Sequence, residues 1–405
     1  MKILLLIDDL CLGGAQTHVL TLARGLCARG HEVWVASDGG VLEEECRGCG
    51  VRTLRFVHPV RAPSLPLYLP RLVCWLLRRQ RSTGFDVLHA HTRRCAFLLS
   101  LCRPFLPSLT PVGAYAQAPY RRRSLRRALA PARIVTAHAR FRPFPRRLCD
   151  WGERTIAVSQ DLKEHLVRRF GVTPESVCVI PNGIEVDLLR RRPNERDASV
   201  FHVAFASRLD GDCSQGAFAL LAVVPALKAL CQDAGRRLRI TLLGGGQCLE
   251  ALSEQAAQVN RLCGEETVRV VGAVRCPPDY FQTADVFVGV SRAALEAAGC
   301  GCAVVLGGNE GFGGVLNADN YADRASENFC CRSGEPLTPR ALLSSLTELL
   351  HTSPRRLHEQ VVAVQRLLEQ TLSLDKTVAR TLEVYRHTLK RRRLISLLVD
   401  RKSVV

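Results

Sequence analysis

The sequence predicts two doubly wound α/β domains, and three observations carry the prediction. Short apolar runs alternate with amphipathic stretches along both halves, the pattern of a parallel sheet covered on both faces. The alternation breaks at the Arg-rich stretch Leu189 to Arg196, which contains Pro193 and reads as a linker, and then restarts. Two of the apolar runs lead into glycines just before a helical pattern begins. A chain of 405 residues suits two or three domains at roughly 150 residues each. With 47% apolar and 23% charged residues, it is neither disordered nor fibrous.

The elements follow in order. Lys2 to Ile7 is a strand leading toward Gly13-Gly14. Ala15 to Arg29 places Val19, Leu20, Leu22, Ala23 and Leu26 at helical spacing, and Gly30 stops it. Strands are expected at Glu32 to Ala36, Val51 to Phe56 and Asp86 to Ala90, with a helix over Leu67 to Arg81. Arg133 to Ala137, Thr155 to Val158 and Val177 to Ile180 are short buried strands, the last two separated by the helix Asp161 to Phe170. In the second half, Val200 to Ala206, Leu238 to Leu243, Val268 to Val271, Val286 to Val288 and Ala303 to Leu306 read as strands. Ala217 to Leu230 and Leu249 to Leu262 read as helices, Glu296 lies in a short one, and from Arg340 onward the pattern is helical. The expected division is 1–188, 189–373 and a C-terminal segment 374–405. Two such domains facing across a cleft bind ligands at the carboxyl ends of their strands.

No stretch reaches the roughly 18 uninterrupted apolar residues of a membrane span. Asp8 and Asp9 end any signal-peptide reading of the N-terminus, so a cytoplasmic protein is expected. The 18 Cys sit mostly in apolar runs, where Cys packs as a small hydrophobe. Neither Cys46-x-x-Cys49 nor Cys300-x-Cys302 has a second pair at zinc spacing, so no metal is expected. The net charge of +18 is unevenly placed: residues 87–149 contain no Asp or Glu and 13 Arg. Such a field calls for an anionic partner, although a solvated face is the blander reading. Arg121, Arg122, Arg123, Arg126 and Arg127 lie beside Leu125, Ala128 and Leu129, which suits an anionic membrane surface. No nucleic-acid motif accompanies the charge.

Five places could carry chemistry. Gly13-Gly14 lets backbone approach a phosphate or sugar hydroxyl at a helix start, or is only a turn. Arg208, at the end of a strand, can grip a diphosphate, or lie on the surface. Gly244-Gly245-Gly246 repeats the strand–glycine–helix logic. Ser291 to Ala297 carries one carboxylate, Glu296, suited either to two ribose hydroxyls or to the helix dipole. His138 ends a strand, with His89 and His91 placed similarly after Asp86, each able to serve in hydrogen bonding or acid–base work, or in structure.

Together these residues resemble the family 4 retaining glycosyltransferases, over nearly the whole chain. The markers are Gly13-Gly14, Leu22-Ala23-Arg24-Gly25-Leu26, Arg29-Gly30-His31-Glu32-Val33, Asp86-Val87-Leu88-His89-Ala90-His91 and Thr136-Ala137-His138. Thr155-Ile156-Ala157-Val158-Ser159, Ile180-Pro181-Asn182-Gly183-Ile184, Ser207-Arg208-Leu209, Leu243-Gly244-Gly245-Gly246 and Ala294-Leu295-Glu296-Ala297 complete them. The resemblance implies a GT-B fold of two Rossmann-like domains. It also implies that the helix Thr377 to Leu389 crosses back to the N-terminal domain. It implies a nucleotide diphosphate sugar as donor, a glycan or lipid-linked acceptor, and no metal or other cofactor. On that footing Arg208 holds the diphosphate, Glu296 the ribose, and Gly13 and Gly14 the phosphate and transferred sugar. His138 contacts the sugar at the reacting face. Gly244, Gly245, Ser291 and Arg292 line the donor site, and the base lies near Gly272, Ala273 and Val274.

Two positions depart from the family pattern. Cys213 stands where a Lys is usual, five residues after Arg208, and Val288 where a Glu is usual, eight before Glu296. Glu310-Gly311-Phe312-Gly313 looks like the missing acidic motif out of register, and Glu310 is expected to face the donor sugar. The expected function is retaining sugar transfer in cell-surface polysaccharide or glycolipid synthesis. A GT-B protein that binds nucleotide sugar without turnover, and a sugar-nucleotide epimerase that needs no acceptor, are the competing readings.

Overall fold

The computed structural model describes residues 1–56, 65–106, 131–140, 151–190 and 196–402. The chain forms two compact units, Met1–Gly183 with Leu374–Val405, and Ile184–Ser373.

The first unit is built on seven parallel strands: β1 (Lys2–Leu6), β2 (Glu32–Ser37), β3 (Arg52–Arg55), β4 (Val87–Ala90), β5 (Ala132–Ala137), β6 (Arg154–Ala157) and β7 (Val177–Val179). Their order is β3-β2-β1-β4-β5-β6-β7, so the chain reverses direction across the sheet beside β1. Ile3 through Ile7 are all buried because both faces of β1 are covered. Ile3, Leu5 and Ile7 pack with the helix Gly14–Cys27, while Leu4 and Leu6 pack with Leu72, Leu76 and Leu98 of the helices Leu65–Thr83 and Arg93–Cys102. The last helix, Leu374–Lys402, belongs to this unit and buries Val378, Leu382 and Tyr385. It lies against the helix Gly14–Cys27: a Cβ on Gly25 would come within 2.6 Å of Val378 Cγ2.

The second unit has a six-stranded sheet in the order β10-β9-β8-β11-β12-β13. Its strands are β8 (Val200–Ala206), β9 (Arg237–Leu243), β10 (Val268–Gly272), β11 (Val286–Gly289), β12 (Ala303–Gly308) and β13 (Gly311–Val315). Phe201, Val203 and Phe205 pack with the helices Gln215–Asp233 and Pro339–His351, and Ala204 and Ala206 with the helices Ser291–Gly299 and Pro354–Leu372. The helix Gln215–Asp233 is apolar enough by composition to cross a membrane. Its Ala217, Leu220, Leu221, Val224 and Leu227 lie in the core instead.

The structure corrects three expectations. The stretch Leu189 to Arg196 is not wholly a linker: the helix Val186–Arg190 runs into it, and Leu189 is buried against Gly299. Ile184 N–H donates to the Leu372 carbonyl at 2.9 Å, so the second unit begins at Ile184 rather than at 189. Ile184, Val186 and Leu189 provide the apolar face; the adjoining Arg run hid it. Residues 191–195 lie outside the described residues. β13 runs antiparallel to β12, a strand that Gly-Phe-Gly-Gly-Val does not advertise because glycine has poor β-propensity.

Seventeen cysteines are described and all are free. Cys46, Cys102 and Cys231 lie in the hydrophobic clusters, and burial pushes the Cys46 and Cys102 thiols up to about 12.

Candidate active site

In the second unit the proposed donor-site residues sit where parallel strands end. Arg208 lies just beyond β8, Gly244 follows β9, Gly272 ends β10, and Ser291 opens the helix after β11. The first three strand ends interlock, since Leu209 N–H donates to the Gly245 carbonyl at 2.9 Å and Gly244 N–H to the Gly272 carbonyl at 2.8 Å. This packing explains two of the three glycines. Gly244 and Gly246 have φ of +147° and +152°. A Cβ on Gly244 would lie 1.9 Å from the Ser207 carbonyl oxygen, and one on Gly246 2.5 Å from Leu209 backbone. Gly245 is constrained only by Ala273, at 3.1 Å.

The Arg208 side chain is half exposed and held in its own loop. It donates to Asp210 at 2.8 Å, to Asp212 at 3.5 Å and to the Cys213 sulfur at 3.3 Å. Burial opposes its charge, but Cys213, Asp212 and Asp210 outweigh burial and raise its pKa. Asp210 also accepts from Gln247 N–H at 3.2 Å, tying Arg208 to the glycine turn. Burial raises the Cys213 pKa against the pull of Arg208, so a neutral thiol stands where a Lys was expected. Sequence reasoning missed Asp210 and Asp212 as partners of Arg208; the signal was two carboxylates within four residues of it.

Glu296 is mostly buried on the helix Ser291–Gly299 and accepts from Arg292 Nε at 2.7 Å. One turn of helix separates them, so Arg292 neutralises Glu296 locally. Ser291 has φ of +55°, a left-handed conformation costly for a non-glycine residue. Asn328 Nδ2 donates to its Oγ at 2.9 Å, and its N–H donates to the Phe329 carbonyl.

Val288 is fully buried inside β11 and paired in register with Phe205 and Val305. Counting eight residues back from Glu296 therefore lands in the core, because only Gly289 and Val290 separate Val288 from the helix. Glu310 sits in the turn between β12 and β13 and pairs with the buried Arg332 at 2.9 Å. That ion pair holds Glu310 at the hairpin tip. Its neighbour Asn309 reaches the Arg208 loop, accepting from Gln215 N–H at 3.0 Å and donating to the Gly211 carbonyl at 3.2 Å.

In the first unit, Gly13 is extended and its carbonyl accepts from Thr17 N–H at 2.9 Å. A Cβ on Gly14 would meet nothing within 4 Å, so the start of this helix is open. His138 lies just beyond β5, half-buried, with its Nε2 3.3 Å from His91 Nδ1. His18, one turn into the first helix, packs edge-on to His138 with ring centroids 4.9 Å apart. The helix start at Gly14 brings His18 here, a partnership the sequence did not show.

Of the two readings open for His89, the structure shows the structural one. The residue lies within β4, fully buried, with Nδ1 2.6 Å from Tyr385 Oη and Nε2 2.6 Å from Thr136 Oγ1. Burial lowers its pKa to about 3, and burial with His89, His138 and His18 as neighbours holds His91 well below 6.5. Both are neutral in the native state at pH 7. The unfolded chain takes up these protons near 6.5 and the native state does not, so stability falls as the pH drops below 6.5. Each such histidine contributes up to about 1.4 kcal/mol per pH unit. Urea unfolding between about pH 7 and pH 5 is expected to show this slope, and His89→Gln to reduce it. An unchanged slope in that variant removes His89 as the cause.

The basic segment is only partly described. Arg94, Arg133 and Arg140 pair with Asp8 at 3.6 Å, Glu153 at 3.6 Å and Asp161 at 3.3 Å, so carboxylates from outside the run offset part of it. Arg121, Arg122, Arg123, Arg126 and Arg127 lie outside the described residues.

Two Rossmann-like units, each with polar and charged groups at the carboxyl edge of a parallel sheet, define a GT-B fold. Residues 12–188 match the model of glycosyltransferase family 4, and residues 201–350 that of the glycosyl transferases group 1. The chain is 26% identical over 325 residues to D-inositol 3-phosphate glycosyltransferase 1 of Catenulispora acidiphila, covering 72% of this chain and 74% of that protein. It is 25% identical over 411 residues to D-inositol 3-phosphate glycosyltransferase of Xylanimonas cellulosilytica, covering 94% and 93%. A glycosyltransferase from Rickettsia africae superposes with a TM-score of 0.72 at 15% identity, over 96% of this chain and 98% of that one. Anabaena HepE, solved with UDP-glucose, superposes with a TM-score of 0.65 at 16% identity, over 95% and 99%. The chain belongs to the family 4 type of GT-B glycosyltransferases and is a transferase enzyme.

Proposed function

We propose that the protein is a retaining hexosyltransferase that moves a sugar from a nucleotide diphosphate sugar to a glycan or lipid-linked acceptor. One observation carries the reading: Arg208, the Gly244–Gly246 turn and the helix bearing Glu296 lie at the carboxyl ends of β8, β9 and β11, neighbours in one parallel sheet. Arg208 grips the diphosphate, whose charge grows as the glycosidic bond breaks, and Glu296 takes the ribose hydroxyls. Asp210 holds the guanidinium in place before that charge forms. In the first unit, the open backbone at Gly14 receives phosphate or sugar hydroxyls, and His138 contacts the transferred sugar. The HepE structure with UDP-glucose supports a nucleotide sugar of this class.

The acceptor belongs to the first unit in this proposal. Its 13 Arg between residues 87 and 149 suit a lipid-linked acceptor at an anionic membrane surface, reached from the cytoplasmic side. Polysaccharide or glycolipid synthesis is the corresponding role.

Calorimetric titration with UDP, GDP and ADP and their sugars tests the donor reading. Micromolar binding of one nucleotide, lost in Arg208→Ala and in Glu296→Ala, is the expected result. Failure of every nucleotide to bind overturns it.

A further inference from the structure

Among the described residues, four other than glycine hold left-handed backbone: Ser291, Asn328, Phe329 and Cys331, with φ of +55° to +56°. All four belong to one place in the second unit. Ser291 N–H donates to the Phe329 carbonyl at 3.1 Å, and Asn328 Nδ2 donates to Ser291 Oγ at 2.9 Å. Asn tolerates this conformation, but for Phe329 and Cys331 it is costly. The run Asn328 to Cys331 is buried and locked by its surroundings. Phe329 N–H donates to the Arg324 carbonyl at 2.8 Å and Cys330 N–H to the Glu327 carbonyl at 3.2 Å. On the other side, a Cβ on Gly311 of β13 would lie 1.9 Å from the Cys331 carbonyl oxygen. Strain fixed in this way gathers at ligand clamps. What the run holds is Ser291, the first residue of the helix that carries Glu296. A glycine would take φ +55° without cost, so the Ser291 side chain is what the strain preserves.

We propose that Asn328 is a positioning residue for the nucleotide sugar: it fixes the Ser291 hydroxyl so that the hydroxyl proton is left for a phosphate oxygen of the donor. The inference rests on the donor reading above and adds to it a residue that touches no ligand itself. Ser291 N–H is taken up by Phe329, and Ser291 Oγ accepts from Asn328. The hydroxyl hydrogen has no acceptor among the described residues. A diphosphate accepts hydrogen bonds and donates none, so a proton held ready is what it can use. The amide N–H occupies an Oγ lone pair, turns the proton away from Asn328 and polarises the O–H bond. The placement agrees: β11 leads into Ser291 and pairs with β8, which leads into Arg208. The alternative is that Asn328 is a strut that only keeps the start of the helix in place. The Phe329 carbonyl holds the Ser291 backbone in either case. The hydroxyl separates the two, because a strut leaves it dispensable for binding.

The test is calorimetric titration of the full chain with whichever of UDP, GDP and ADP the wild type binds. Ser291→Gly suits the left-handed backbone and removes the hydroxyl, whereas Asn328→Ala keeps the hydroxyl and removes the amide. Ser291→Gly is expected to weaken binding roughly tenfold or more, the loss of a hydrogen bond to a charged group. Asn328→Ala is expected to weaken it at least about threefold. The double variant is expected to bind no more weakly than the weaker single one, because both changes remove one interaction. Thermal unfolding checks the packing: Asn328→Ala is expected to lower the midpoint and Ser291→Gly to leave it near the wild type. Should Asn328→Ala not fold, Asn328→Asp takes its place, since it fills the same space and has no N–H to give. Wild-type affinity in Ser291→Gly or in the folded Asn328 variant overturns the inference, and so do losses that multiply in the double variant. In each of these results, binding that Arg208→Ala still abolishes leaves the donor reading standing. A wild type that binds no nucleotide removes both.

Discussion

Arg208→Ala lowers the turnover number for sugar transfer by roughly a hundred- to a thousandfold, the cost of losing one fixed donor to a developing oxyanion. The loss is expected to be large because the neighbouring thiol of Cys213 cannot share the work. Asp210 and Asp212 make the Arg208 loop acidic on balance, two carboxylates against one guanidinium. The loop therefore meets a diphosphate with a positioned fork but no surplus positive charge. Asp212 is 73% exposed and 3.5 Å from Arg208, so it contributes little to holding the guanidinium. Asp212→Asn is accordingly expected to tighten nucleotide diphosphate binding, and Cys213→Lys to tighten it further. Steady-state kinetics separates the effects: Arg208→Ala lowers kcat and raises KM together, whereas the two others act mainly on KM. An Arg208→Ala enzyme with wild-type kcat places the diphosphate elsewhere.

Gly244→Ala destabilises the second unit by about 3–5 kcal/mol, a large share of an ordinary domain's stability. Two costs add: φ is +147° and the new Cβ meets the Ser207 carbonyl oxygen, which is backbone and cannot rotate away. Gly245→Ala is the comparison. Its φ is not in the left-handed region and its nearest neighbour is the Ala273 Cβ at 3.1 Å, so the loss stays near 1 kcal/mol or below. Trp34, Trp75 and Trp151, the three tryptophans of the chain, all belong to the first unit. Urea unfolding followed by circular dichroism is therefore expected to show an early transition in Gly244→Ala, while tryptophan fluorescence holds near its wild-type midpoint. Coincidence of the Gly244→Ala and wild-type dichroism curves shows that the turn yields cheaply, against the prediction.

The two-unit α/β architecture was legible in the order of the residues alone. A strand buried on both faces is apolar nearly throughout, so Ile3 to Ile7, and Val200 to Ala206 apart from His202, declare themselves without partners. Arg208, Glu296, His138 and the glycine turns were legible because strand ends and helix starts are local features. What one residue touches across the fold was not. Only the tertiary structure shows that Arg292 is taken up by Glu296, that Val288 is a core position, and that Glu310 pairs with Arg332 at a hairpin tip. Only it sorts three similar histidines into one locked between Tyr385 and Thr136 and two that meet His18. The physical reason is range. Periodicity and turn chemistry act over a few residues, whereas Tyr385 reaches His89 across 296 residues of chain, and no local pattern records that contact.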